Sequence, residues 1–174
     1  MPVIFVKVVL VLKRRRKMRI TIIVVGKTQS KELIVLMDEY RKRLRRYIQM
    51  DWVELPDYKN RGKVSSDELK RIEGKSILSK LNNDDELILF DEKGKELTSV
   101  QFSSFFKKKM NSGLKNLVFV VGGAYGFSDE VYARANGKLA ISQFTFPHQL
   151  IRVFILEQVY RSYTIIKGEP YHHS

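Results

Sequence analysis

Five short, mostly apolar runs recur along the chain: Ile20 to Val25, Trp52 to Leu55, Glu86 to Phe90, Leu117 to Val121 and Leu139 to Ser142. They are continuous rather than alternating and rich in β-branched residues, the pattern of strands buried on both faces in a parallel sheet. Between them the period changes. Glu32 to Ile48 places Leu33, Leu36, Met37, Tyr40, Leu44 and Tyr47 on one side at helical spacing. Ser65 with Glu68 three residues on is a capping-box signal, and it predicts a helix from about Ser66 to Leu81. Thr98 or Ser99 caps a further helix to about Met110, ended by Asn111-Ser112-Gly113. Ser128, followed by Asp129 and Glu130, starts another, which Asn136-Gly137 stops.

The last helix is unlike the others. Pro147 suits its first turn, and Leu150, Ile151, Val153, Phe154, Ile155, Leu156, Val159 and Tyr160 make it apolar almost all the way round. Such a helix must be covered on more than one side. A homodimer interface meets that need better than internal burial alone. Strands alternating with helices define an α/β class, a mainly parallel sheet with helices on both faces. In such sheets ligands settle at the carboxyl ends of strands. Three loops are expected there: Asp91 to Lys95, Gly122-Gly123-Ala124-Tyr125-Gly126, and the segment that runs on from the fifth strand to Phe146.

Composition narrows the class of partner. The chain has 174 residues, 44% hydrophobic and 29% charged, which fits one compact domain with a core of its own. Cysteine is absent, so there is no disulfide framework and no thiolate metal site. His172-His173 could bind metal only with a third ligand from elsewhere, and no metal is expected. The formal charge of +13 points to a polyanion such as nucleic acid. Lys7, Lys13, Arg14, Arg15, Arg16 and Lys17, with no acid among residues 1–17, account for six of those thirteen charges. The apolar run Val3 to Leu12 precedes its basic cluster, the reverse of a secretory signal, and is too short to span a bilayer. Residues 1–17 therefore read as an N-terminal extension from an upstream start. One domain over residues 18–174 follows it, and the natural protein is expected to begin at Met18.

All three histidines lie in the last third of the chain. The ordered segments there are Val120-Val121-Gly122-Gly123-Ala124-Tyr125-Gly126, Thr145-Phe146-Pro147-His148-Gln149 with Arg152, Tyr160-Arg161, and Gly168-Glu169-Pro170-Tyr171-His172-His173. Together they resemble the SPOUT-class RNA methyltransferases. More narrowly they are similar to the bacterial enzymes that methylate N3 of a pseudouridine in large-subunit (23S) ribosomal RNA. The likeness runs from Met18 to His173.

The resemblance implies a C-terminal trefoil knot, a homodimer in the cytoplasm, no membrane association, and S-adenosylmethionine as methyl donor. It implies a donor pocket made by Phe90, Gly122, Ile141, Ser142, Gln143, Phe144, Thr145 and Phe146. Phe90 departs from the aliphatic residue usual there, which predicts altered packing rather than lost binding. It assigns His148, Arg152, Tyr171 and His172 to the nucleotide side, with the assembled ribosome as the substrate. N3 of pseudouridine is an imide nitrogen that loses a proton on methylation, and a histidine is a natural acceptor near neutral pH. Tyr171 could stack on the base, and Arg152 could hold a phosphate or a uracil oxygen.

Three other readings stand beside this one. A non-catalytic RNA-binding or ribosome-assembly protein on the same fold would keep the basic surface and lose donor binding. An NAD-type enzyme is disfavoured, because the glycine run comes late and is not G-x-G-x-x-G. A peripheral membrane protein would rest on residues 1–17 alone.

Overall fold

A computed structural model describes residues 18–58 and 61–172, so the expectations about residues 1–17 and His173 fall outside the described residues. Five strands form one sheet: β1 (Arg19–Val25), β2 (Gln49–Leu55), β3 (Glu86–Glu96), β4 (Asn116–Val121) and β5 (Gly137–Ala140). Their order is β2-β1-β4-β3-β5, and every pairing is parallel. Parallel neighbours need crossovers. Four helices lie in them, α1 (Lys31–Leu44), α2 (Ser66–Leu78), α3 (Ser99–Asn111) and α4 (Asp129–Arg134), and α5 (Leu150–Lys167) follows the last strand.

The apolar runs are continuous because each strand feeds two cores. Ile20, Ile22 and Val24 of β1, with Leu117, Phe119 and Val121 of β4, face one side and pack with α1, α3 and α5. The intervening Ile23 and Val25, with Val118 and Val120, face the other side and pack with Ile77 of α2 and Val131 of α4. Successive side chains on a strand point to opposite faces, so a strand covered on both sides carries no polar alternation. The expected architecture of helices on both faces is thus the one observed. α5 lies between α1 and α3 and is covered by them, with Ile155, Leu156 and Val159 fully buried. Internal packing therefore accounts for more of its apolar surface than expected, although Phe154 stays 40% exposed.

Two local expectations are corrected. The third strand does not end at Phe90: β3 continues to Glu96, and its partner register jumps between Phe90 and Lys95, both opposite Leu139. Asp91 to Lys95 is thus an irregular strand segment rather than a free loop. Gly94 permits it, because a Cβ there would lie 2.4 Å from the Leu139 carbonyl carbon and 2.6 Å from its amide nitrogen. Ser128 sits at the N-cap of α4 but makes no side-chain capping bond. Its Oγ instead fills the space beside Gly74, where a Cβ would lie 2.5 Å away. The other hydroxyl caps are as expected: Ser65 Oγ accepts from Glu68 N at 3.2 Å, and Thr98 and Gln101 form a reciprocal capping box.

Candidate active site

The carboxyl ends of β4 and β5, and β3 where its register jumps after Phe90, open onto one cavity of about 480 Å³. Three segments wall it. The continuation of β3 supplies Phe90 to Lys93, the chain after β4 supplies Val121 to Phe127, and the chain after β5 supplies Ile141 to Phe146, with His148 and Ile151 at the entrance to α5. All eight residues expected in the donor pocket line it, together with His148.

The local folding of each wall has a physical cause. The glycine run leaves β4 and turns within four residues, with Gly126 N donating to Gly123 O at 3.2 Å and Gly126 at φ +80°. Only glycine takes that backbone conformation without strain. Gly123 has a second reason to lack a side chain, since its Cβ would lie 2.4 Å from the buried carboxylate of Glu73 on α2. Glu73 thus abuts the outer side of the loop, a neighbour that nothing in the sequence pattern signalled. On the β3 side, Asp91 accepts from Lys93 N at 2.8 Å and from the Tyr132 hydroxyl at 2.5 Å. Burial and that acceptor push the Tyr132 phenol up to about 12, so it remains a protonated donor throughout the neutral range. At the α5 entrance, Gln149 Oε1 accepts from the amides of Gln29 (2.7 Å) and Ser30 (3.2 Å), tying the start of α1 to the residue after His148.

Electrostatically the lining is slightly acidic. Asp91 and Glu92 face it against Lys93, a formal balance of −1 with His148 neutral. Its rim also holds exposed aromatic surface, with Phe144 82% and Tyr125 60% accessible. A mildly anionic cleft with aromatic edges fits a cation attached to a planar ring system.

The remaining nucleotide-side residues do not line this cavity. Arg152 is buried, and its guanidinium donates to Thr28 Oγ1 at 2.8 Å and to the Val25 carbonyl at 2.7 Å, with Glu54 at 3.9 Å. Burial pulls its pKa down from the usual arginine value, opposed by Glu54 and Asp57. Its donors serve the protein itself, joining α5 to the end of β1. Tyr171 and His172 lie further along α5. Gly168, at φ +68°, turns the chain back, and Tyr171 packs edge-on against Tyr160 at 4.9 Å with its hydroxyl 3.3 Å from Glu157. The Arg161 guanidinium sits 5.0 Å over the Tyr171 ring, and His172 Nδ1 is 3.4 Å from Arg161 Nη1. Burial pushes the Tyr171 phenol above its usual value. The cavity and the tail are therefore two separate places on one chain. Among the described residues no cluster of three or more His, Asp or Glu could hold a metal ion, and no helix is long and apolar enough to cross a membrane.

A parallel α/β sheet with a cleft at its carboxyl edge, closed by glycine-rich and proline-marked segments late in the chain, is the build of an enzyme that binds a nucleotide-like cofactor. The family model for predicted SPOUT methyltransferases matches residues 18–172, and the chain belongs to that family. The chain is 53% identical over 156 residues to the ribosomal RNA large subunit methyltransferase H of Flavobacterium psychrophilum, covering 90% of this chain and 99% of that protein. It is 51% identical to the protein of the same name from Cytophaga hutchinsonii, over 90% of this chain and all of that protein. With the corresponding Bacteroides thetaiotaomicron protein it shares 45% identity over 90% of this chain and 99% of the other.

Proposed function

We propose that this chain transfers a methyl group from S-adenosylmethionine to N3 of a pseudouridine in 23S ribosomal RNA, acting as a homodimer on the assembled ribosome in the cytoplasm. The observation that carries the reading is that one cavity is lined together by Phe90, Gly122 and the 141–146 segment, with His148 at its edge. The donor brings an electrophilic methyl group on a sulfonium centre. The residues present fit it. Gly122 forms its part of the wall with backbone alone, and a Cβ there would press on the Phe127 ring at 3.1 Å. Asp91 and Glu92 favour a positive ligand over an anionic one.

The chain's own part is mostly positioning. Holding donor and base in line replaces a bimolecular encounter with a bound geometry, which alone can supply several kcal/mol of barrier lowering. His148, exposed on the cavity wall, is placed to take the N3 proton as the new N–C bond forms and the S–C bond breaks. Tyr171 and His172 lie outside their own chain's cavity, which favours a pair of chains in which each tail reaches the other's site. Arg152 acts in this reading as a positioning residue, holding the entrance of α5 against β1. The threaded C-terminal segment belongs to the same reading.

Incubating the purified chain with labelled S-adenosylmethionine and bacterial ribosomes, followed by nucleoside mass spectrometry, tests this. One N3-methylpseudouridine per large-subunit RNA is expected, with at least tenfold less on protein-free RNA. Label on protein-free RNA at an equal rate would remove the ribosome from the account. Label on a different atom would remove the assigned chemistry.

A further inference from the structure

The sheet has two edges of opposite character. At the carboxyl edge three of the helices begin with acids, Glu32 on α1, Asp67 and Glu68 on α2, and Asp129 and Glu130 on α4, and exposed Lys27 and Lys31 lie beside Glu32. The cavity lining adds Asp91 and Glu92. At the amino edge the charge reverses. The last turn of α1 holds Lys42 and is followed by Arg45 and Arg46, α3 carries Lys107 and Lys108 near its end, and Lys115 precedes β4.

All six of these cations are exposed, and among the described residues none has an ion pair. The acids nearby are already engaged: Asp38 with Arg41, Glu39 with Arg43, Asp51 with Arg19 and Glu86 with Lys109. Asp84 is exposed at the start of β3, and Asp85 beside it is tied to Asn82 and Asn116. Helix dipoles favour cations in last turns and at the C-cap, which covers Lys42, Arg45 and Lys108, yet Arg46 lies past the α1 cap and Lys115 precedes β4. α1 has 14 residues, so at about 1.5 Å per residue the two edges stand roughly 20 Å apart.

A cavity lined at −1 gives a polyanion no electrostatic reason to approach it. We infer that the amino edge of the sheet, through Lys42, Arg45, Arg46, Lys107, Lys108 and Lys115, is a separate nucleic-acid surface that grips RNA backbone about 20 Å from the cavity within the same chain. The inference rests on the proposed ribosomal RNA substrate. The methylated nucleotide is selected at the cavity, whereas affinity and its salt dependence come largely from this edge.

The test replaces Arg45, Arg46, Lys107 and Lys108 together with glutamine in the full chain, so that the cations of residues 1–17 are common to both proteins. Binding to purified large ribosomal subunits is measured from about 50 to 200 mM salt, the range over which phosphate contacts dominate. The variant is expected to bind more than tenfold more weakly at the low end. Its slope of log affinity against log salt should be shallower by about 3, near 0.7–0.9 per lost contact. Melting temperature and S-adenosylmethionine affinity stay at parental values. Parental affinity and slope would overturn the inference. So would a loss confined to phosphatidylglycerol vesicles, which would make the edge a membrane surface, or a change of oligomeric state with subunit binding intact. If the parent binds subunits through this edge but transfers no methyl group, the proposed function falls and the surface stands. If it methylates and the variant binds as well as the parent, the reverse holds.

Discussion

Alanine in place of Arg152 is expected to lower the melting temperature by about 10 °C. The side chain is 3% exposed and holds Thr28 Oγ1 and the Val25 carbonyl, with Glu54 within ion-pair range. Removing one member of a buried, hydrogen-bonded charge set typically costs about 3–5 kcal/mol, because the partners left behind stay desolvated. The lower figure applies here, since Glu54 is partly exposed. About 3 kcal/mol shifts the midpoint of a domain of this size by roughly 6–12 °C. Donor affinity should fall as well, since the link from α5 to β1 fixes the direction in which the chain leaves Phe146 and His148. Calorimetry with and without donor reads both effects. A variant that melts at the parental temperature yet loses turnover would mean that Arg152 acts on the substrate instead.

Gly94→Ala should be about as damaging, for a different reason. The new methyl group would lie 2.4 Å from the Leu139 carbonyl carbon, 2.6 Å from its nitrogen and 2.7 Å from the Ala140 nitrogen. These are backbone atoms in a paired strand, so no rotamer change relieves the contact. Overpacking of this kind costs about 1–3 kcal/mol or more. Its effect is transmitted directly, because β5 ends at Ala140 and the cavity wall begins at Ile141. The expected outcome is a melting point lower by roughly 5–10 °C and donor affinity reduced at least tenfold. Gly113→Ala is the control for a glycine with open space at its Cβ. It should leave donor affinity unchanged, although its φ of +78° predicts a small loss of stability. Parental donor affinity in Gly94→Ala would show that β5 does not set the cavity wall.

What could be read from sequence follows from what each residue's neighbours demand. Ile20 to Val25 and Leu117 to Val121 announced strands because both faces of the sheet are covered, and Thr21, whose hydroxyl donates to Asn116 Oδ1, is the one polar residue in either run. Ser65 and Thr98 announced helix starts because their hydroxyls meet orphan amides within their own turn. Such local causes are visible in a local pattern. The extension of β3 through Asp91 to Glu96 was hidden, because polar residues with poor strand propensity are held there by β5, more than forty positions later. Ser128 looked like a cap, but its hydroxyl bonds the Glu130 side chain and packs where Gly74 of another helix leaves room.

The candidate site divides the same way. The glycine run and the 141–146 segment could be assigned through the ordered motifs, and one cavity gathers them. Glu73 behind Gly123 and Tyr132 on Asp91 carry no motif, and only tertiary packing reveals them. For Arg152 a physical signal did exist. A lone arginine on an otherwise apolar helical stripe is more often a satisfied buried cation than an exposed ligand for phosphate. Tyr171 and His172 rest against their own α5, so any role opposite the acceptor base needs a second chain.

The central claim is that the cavity at the ends of β3, β4 and β5 is the seat of the methyl donor. Titrating the full chain calorimetrically with S-adenosylmethionine, beside a Gly122→Leu variant that fills the floor of the cavity, tests it most directly. The account predicts saturable binding to the parent and none to a variant that is still folded by circular dichroism. Absence of binding to the parent, or equal binding to both proteins, would contradict it.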